Sequence, residues 1–185
     1  MAKVRGSAIL SRVSYVKEKF GDEGWKRLQT LLTPQSRQVL AGRIENRTWH
    51  PFETFIDLNV RTDSLFGRGD YRLCMEMGAY GADKNLNTVY RIFFQLGSVP
   101  FIMSKAASLW SEHYDSGTLI STSDERKSLT LQIDNFVSPH CAHCFSVMGW
   151  AGRSIELTGV SLTERQRTSC RNWRDKTCTL AFRTT

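Results

Sequence analysis

No uninterrupted apolar run in this chain approaches the roughly 18 residues that span a bilayer. Its opening, Met1-Ala2-Lys3-Val4-Arg5-Gly6, is polar where a signal peptide needs an apolar centre. Neither a membrane span nor a leader is expected, so the expectation is a soluble, cytoplasmic protein. The chain also lacks the Gly-x-x-x-x-Gly-Lys loop that cradles nucleotide phosphates, and no nucleophile, base and orienting acid stand in a recognisable local signature. A non-enzymatic role follows. Histidine is scarce, at 4 residues, and only His113 falls in an aromatic helical stretch, beside Trp110 and Tyr114. An axial haem ligand needs an open apolar face for the porphyrin; the local spacing supplies none, and haem is not expected. An odd number of cysteines, 5, without a secretion signal argues against a disulfide framework and for thiols or metal ligands.

What the chain does hold suffices for a substantial core, with 185 residues of which 41% are hydrophobic and 11% aromatic. The net charge of +7 is uneven, at about +6 over residues 1–50, about −3 over 51–160 and about +4 over 161–185. Basic ends can attract nucleic acid or nucleotides. Here Arg165, Arg167, Arg171 and Arg174 are interleaved with Trp173 alone for stacking, which favours a solvated face.

The N-terminal half reads as helices. Ile9, Leu10, Val13, Val16 and Phe20 recur at helical steps up to a stop at Gly21, and Trp25, Leu28, Leu31 and Leu32 form a second stripe. Thr33-Pro34 then supplies an N-cap and first-turn proline for a short third segment. Trp49-His50-Pro51 reads as a break, followed by a helix carrying Phe52, Phe55, Ile56 and Val60. Gly67-Arg68-Gly69 is a turn with Asp70 as the next N-cap, and Cys74, Met77, Tyr80 and Gly81 share a helical neighbourhood. Val89 to Phe94 continue the stripe, and a further helix after Pro100 carries Leu109 and Trp110 to a stop at Asp115-Ser116-Gly117.

Beyond Gly117 the period changes to two. Residues 118–122 and 128–133 alternate across a charged loop as a hairpin, Pro139 opens a helix with Cys141, Cys144, Phe145 and Met148 on one face, and residues 160–168 and 179–184 make a second hairpin. The expected class is α+β: N-terminal helices, then a mostly antiparallel sheet of about four strands with a helix inserted between two hairpins.

Cys144, Cys170 and Cys178, with Cys141 one turn before the first, lie where a helix, a strand and a tight loop bring thiols together. Cysteines of this kind also pack as plain core residues, and Cys141-Ala142-His143-Cys144 has the spacing of a redox pair, which would need a preceding strand in a thioredoxin-like unit. Cys74 reads as core.

A resemblance becomes visible at Ser98-Val99-Pro100 through Trp110, Tyr114-Asp115-Ser116-Gly117, Cys144, Gly149-Trp150, Glu156-Leu157-Thr158-Gly159 and Cys170, with Val4-Arg5-Gly6-Ser7 and Trp49-His50-Pro51. Together these motifs span almost the whole chain. The chain resembles an uncharacterised protein family abundant in myxobacteria. More distantly, its C-terminal half is similar to the vinyl-reductase-type domain of aromatic-compound sensors, in a superfamily that includes haem-based nitric oxide sensors and small TRAPP subunits. The resemblance implies a compact, often dimeric domain holding an apolar molecule between helices and sheet, with residues 1–50 a helical extension on a ligand-binding-like domain over 51–185. In the aromatic-sensing relatives three cysteines and a glutamate hold zinc. Here Cys144, Cys170 and Cys178 keep the thiols, while Arg167 stands at the glutamate's position. Cys141, His140, His143 and Glu164 are candidates for the fourth ligand; otherwise the site holds no metal.

The leading expectation is a small-molecule-binding regulatory domain with Phe93, Phe94, Trp110, Tyr114, Phe136 and Phe145 lining an apolar pocket for an apolar or aromatic molecule. Its output would pass through a protein partner or a change in oligomeric state, a homodimer being expected. One alternative is a dimeric scaffold of TRAPP-like fold, with Val4, Ile9 and Val13 as its surface. Another is a basic protein binding a cyclic dinucleotide or nucleic acid.

Overall fold

The computed structural model describes residues 1–85, 108–124 and 128–185. Its two layers follow the two periodicities of the sequence. β1 (Lys3–Arg5) pairs antiparallel with β2 (Trp49–Pro51), setting Val4 opposite His50. The expected break at Trp49-His50-Pro51 is therefore a short strand, and it is tied further by the Phe52 N–H donating to the Ala2 carbonyl at 3.0 Å.

Between these strands run α1 (Gly6–Leu31) and α2 (Pro34–Ala41). Gly21 interrupts α1 at φ 70, ψ 178, a conformation that costs a glycine little, and the helix resumes without a loop. Thr33 caps α2 as its sequence predicts, its hydroxyl accepting from the Ser36 N–H at 3.2 Å. α3 (Phe52–Phe66) turns into α4 (Arg72–Asn85) around Asp63, whose carboxylate accepts from the Tyr71 and Leu73 N–H groups at 2.8 and 3.0 Å. Asp70, expected as the N-cap, lies one residue before that position and accepts from the Arg72 N–H at 3.1 Å, while Asp63 takes the Leu73 N–H that a cap would hold. Residues 108–113 are helical. The rest of the stripe expected from Val89 through the segment after Pro100, including Phe93 and Phe94, lies outside the described residues.

The sheet runs in the order β3 (Thr118–Ser123), β4 (Ser128–Asp134), β6 (Cys178–Thr184), β5 (Leu162–Ser169), antiparallel throughout. The α+β class, with α5 (Cys141–Glu156) inserted between the two hairpins, is as the alternation predicts. Leu129, Leu131, Ile133, Cys178, Leu180 and Phe182 are buried, the alternate residues of their two strands. β5 is an edge strand, mostly exposed, with register shifts at Leu162/Glu164 and Arg167/Ser169.

α4 and α5 cross with their backbones in contact. A Cβ on Gly78 would collide with the Ser146 carbonyl, and one on Gly149 with the Met75 carbonyl, so only glycine permits this approach. Val4 and Ile9 are wholly buried in the chain's own core, which overturns their expected use as a dimer surface; Val13 is half-buried. No helix among the described residues is long and apolar enough to cross a membrane.

Candidate thiol centre and ligand cleft

Cys141 and Cys144 sit one turn apart at the start of α5, so both sulfurs face the same way. Cys170 follows β5 and Cys178 opens β6, and the loop between them closes on Asp175, which accepts from the Cys170 N–H at 2.8 Å. The Sγ atoms of Cys144, Cys170 and Cys178 lie within 4.8 Å of one another, all buried. Cys141 Sγ and Cys144 Sγ each stand 3.8 Å from Cys170 Sγ. Zinc–thiolate bonds of about 2.3 Å in a tetrahedron require sulfurs roughly 3.8 Å apart; the Cys144–Cys170 and Cys141–Cys170 pairs stand at that spacing, while Cys141 lies outside the mutual 4.8 Å group of the other three.

The surroundings favour thiolate at two of the four, Cys170 and Cys178. Hydrogen bonding from Cys144 is the leading cause that holds Cys170 and Cys178 below the ordinary thiol range, backed by the Asn172 and Arg171 N–H groups. The shared bonds push Cys144 up in turn, and burial raises Cys141. Asn172 donates its side-chain amide to Cys141 Sγ at 3.6 Å. Arg167, clamped between Trp173 at 3.8 Å and Phe145 at 4.9 Å, lies beside Cys141 and Cys170 as a countercharge to the group.

The four candidates for a further ligand are placed differently. His140 caps α5, its Nδ1 accepting from the Ala142 N–H at 3.1 Å. His143 turns into the interior, and Glu164 pairs with Arg183 at 3.6 Å. Cys141 alone of the four has its donor atom against the thiols. The redox-pair reading needs a strand directly before the cysteines, but residues 135–140 separate β4 from α5. Each sulfur of the pair meets Cys170. Cys74 is core, bonded to the Asn59 carbonyl at 3.5 Å, and burial raises its pKa.

Across α5 from the thiols, His143 stands in an aromatic cage. Phe136, Tyr114, Phe52 and Trp110 hold their ring centres 4.8, 4.8, 5.0 and 5.6 Å from its own. Its Nε2 is buried without a partner, and burial holds its pKa down to about 3, with Arg12 and His140 adding to the depression. The ring is therefore neutral.

Above this cage lies a cleft of about 60 Å³ lined by residues of α1, α4, α5 and the 108–113 helix, among them Arg12, Trp110, His113, Tyr114, Ser146 and Val147. The Trp110 indole N–H is already committed to the Ser116 carbonyl at 2.9 Å, and His113 Nδ1 to the Leu109 carbonyl at 3.0 Å. Of the expected pocket residues, Trp110 and Tyr114 line the cleft, and Phe136 touches both from beneath. Phe145 is not with them: its ring meets Tyr71 and Arg167 on the thiol side. A wider groove of about 400 Å³ runs between α3 and residues 138–140, with Glu53, Asp57 and Arg61 among its lining.

Sequence reasoning missed Arg12. It falls between Ile9 and Val16 on the buried stripe of α1, and a cation on an apolar stripe was the available signal.

No family model matches the sequence, and no curated protein matches it. The fold does have solved counterparts. The chain is similar to an Fe(II) unliganded H-NOX protein from K. algicida, at 12% identity and TM-score 0.71, over 98% of this chain and 96% of that one. It is also similar to an H-NOX protein from S. oneidensis in the Fe(II)NO ligation state, at 10% identity and TM-score 0.74, over 98% and 99% of the two chains. An oxygen-binding H-NOX domain related to soluble guanylate cyclases, solved as its oxygen complex, matches at 7% identity and TM-score 0.62, over 98% and 95%. At these identities the likeness is one of fold.

Proposed function

We propose that this chain is a non-enzymatic, small-molecule-binding regulatory domain on an H-NOX-like fold, in which a structural zinc fastens the sheet to α5 while a separate cleft receives the ligand. The observation that carries the reading is the juxtaposition across α5. Buried thiols at tetrahedral spacing lie on one side, and on the other a cleft joins an apolar wall to a few convergent polar groups. Cys144, Cys170, Cys178 and Cys141 would hold the zinc, which supplies structural cross-linking; four thiolates leave no open position for chemistry. Arg167 offsets part of the negative charge of such a centre. The sequence likeness to the uncharacterised myxobacterial family and to vinyl-reductase-type sensors supports the same reading.

The fold raises haem, and the residues fit it poorly. The stretch 86–107 contains no histidine or cysteine. His50 bonds Thr48 at 2.7 Å, His140 caps α5, and His143 is caged by rings, leaving His113 at the cleft. As the described residues frame it, the cleft's volume of about 60 Å³ is far below the roughly 300–1,000 Å³ of ordinary ligand pockets and does not admit a porphyrin. The ligand of this reading is correspondingly small.

The test pairs zinc analysis with ligand screening on purified protein. About one zinc per chain, no Soret band, and a melting temperature raised by small molecules support the proposal. A Soret band with a zinc-free protein overturns it.

A further inference from the structure

The guanidinium of Arg12 is 5% exposed and faces no carboxylate among the described residues. Outside the described residues the sole acidic side chain is Glu125, the stretch 86–107 containing neither aspartate nor glutamate. An arginine offers five N–H donors. Those of Arg12 meet two hydroxyls, Ser11 Oγ at 2.9 Å and Ser146 Oγ, and its Nε is buried without a partner. Its guanidinium carbon lies 4.6 Å from the centre of the Phe55 ring, which offsets part of the charge. Hydroxyls and a ring leave a full positive charge in the interior uncancelled, an arrangement that ordinarily costs a protein stability. The cation is among the residues lining the cleft, alongside Tyr114, His113 and Ser146.

We infer that this cleft is a receptor for a small planar oxyanion, a short-chain carboxylate or an inorganic ion such as nitrite or nitrate, whose charge is neutralised by Arg12. The inference rests on the small-molecule reading above and names the ligand's class. Three observations select that class. The guanidinium fork matches a planar oxyanion in two parallel hydrogen bonds. The volume of about 60 Å³ admits a few heavy atoms and excludes a nucleotide or a lipid headgroup with its chain. Leu109, Leu119, Val147 and Ala8 contribute apolar wall that suits a methyl or ethyl tail. Burial lowers Arg12 to about 10, so it keeps its proton at neutral pH and remains a cation for the ligand to meet.

The experiment titrates the full chain with formate, acetate, propionate, nitrite and nitrate, against sodium chloride at equal ionic strength and against neutral acetamide. Thermal shift is the first readout. The second is the transfer of magnetisation from the methyl group of ¹³C-labelled acetate to the methyl groups of Leu119 and Val147. Saturable stabilisation by at least one oxyanion is expected, with acetamide inert and binding weakened about tenfold or more in Arg12→Met. Arg12→Met should also melt at or above the unsubstituted protein in anion-free buffer, since it removes an unpaired buried charge. Carboxylates acting without nitrite and nitrate assign an organic ligand, and the converse assigns an inorganic one. No oxyanion effect beyond chloride, or equal binding in Arg12→Met, overturns the inference. Should that variant not fold, the methyl resonances of Leu119 and Val147 in the unsubstituted protein decide alone: a saturable shift with any one of the five oxyanions that chloride does not reproduce upholds the site, and no shift with any of them rejects it. If acetamide or another neutral molecule binds where the anions do not, the anion assignment falls and the sensor reading survives. If nothing binds, both fall.

Discussion

Cys144 Sγ stands 3.8 Å from Cys170 Sγ, although 26 residues and most of α5 separate them along the chain. That distance equals the edge of a zinc–thiolate tetrahedron, and a zinc bound there would fasten α5 to the loop between β5 and β6. Cys144→Ser and Cys170→Ser are each expected to lose bound zinc, while Cys74→Ser, 15 residues from Asn59 and bonded to its carbonyl, keeps it. With free zinc a thousandfold above its dissociation constant, the ion contributes about 4 kcal/mol. Chelation should then lower the melting temperature by roughly 8–16 °C for a chain of this size, measured by calorimetry with and without a chelator.

Arg167 lies beside the thiols, and Cys141 is a further sulfur 3.8 Å from that of Cys170. Cys141→Ser alone should weaken zinc binding. Adding Arg167→Glu should restore a three-thiolate, one-carboxylate set and recover at least part of the affinity, as competition with a chromogenic chelator will report. Recovery by Arg167→Ala to the same degree would show that only the cation mattered.

The crossing of α4 and α5 makes a separate prediction. Gly78→Ala and Gly149→Ala drive a methyl group into the Ser146 and Met75 carbonyls, backbone atoms that cannot swing aside. Each should cost about 1–3 kcal/mol or more by overpacking. Gly21→Ala meets no atom within 4 Å and pays only for its backbone at φ 70, ψ 178, about 1–3 kcal/mol. Denaturant melts on larger side chains separate the two causes: leucine should cost more than alanine at positions 78 and 149, where backbone blocks it, and no more than alanine at position 21, where space is open.

Much of this fold is written in period. The two hairpins follow from alternation over 118–133 and 160–184, and the Thr33-Pro34 cap from the side-chain oxygen that α2 requires. β2 was illegible because three residues carry no period. The faces of α5 were illegible for the opposite reason: buried residues surround nearly the whole helix, so the apolar pattern no longer distinguishes a side. Phe145 therefore joins Arg167 instead of the cleft, and His143 and Ser146 face α1 unannounced. Arg12 carries a signal in its place on the apolar stripe of α1, but what it faces emerges only when α1 is packed against α3 and α5.

His143 sets an acid limit on stability. Its folded pKa lies near 3 against 6.5 for a free imidazole, chiefly because burial excludes the charged form. As pH falls below about 6.5 the unfolded chain takes up the proton that the folded chain refuses. Stability is therefore full above that value and declines down to about pH 3, with a slope approaching 1.4 kcal/mol per unit. Urea melts between pH 4 and 7, with a chelator in every sample to remove the zinc contribution, should show this slope. His143→Leu should flatten it.

Native mass spectrometry of the untreated full-length chain bears most directly on the central claim that zinc holds this fold together and that no histidine-ligated haem occupies it. The account predicts a protein mass increased by one zinc ion less the protons that thiolate ligation displaces, with no haem adduct. A population carrying haem, with all five cysteines protonated and no metal, would contradict it.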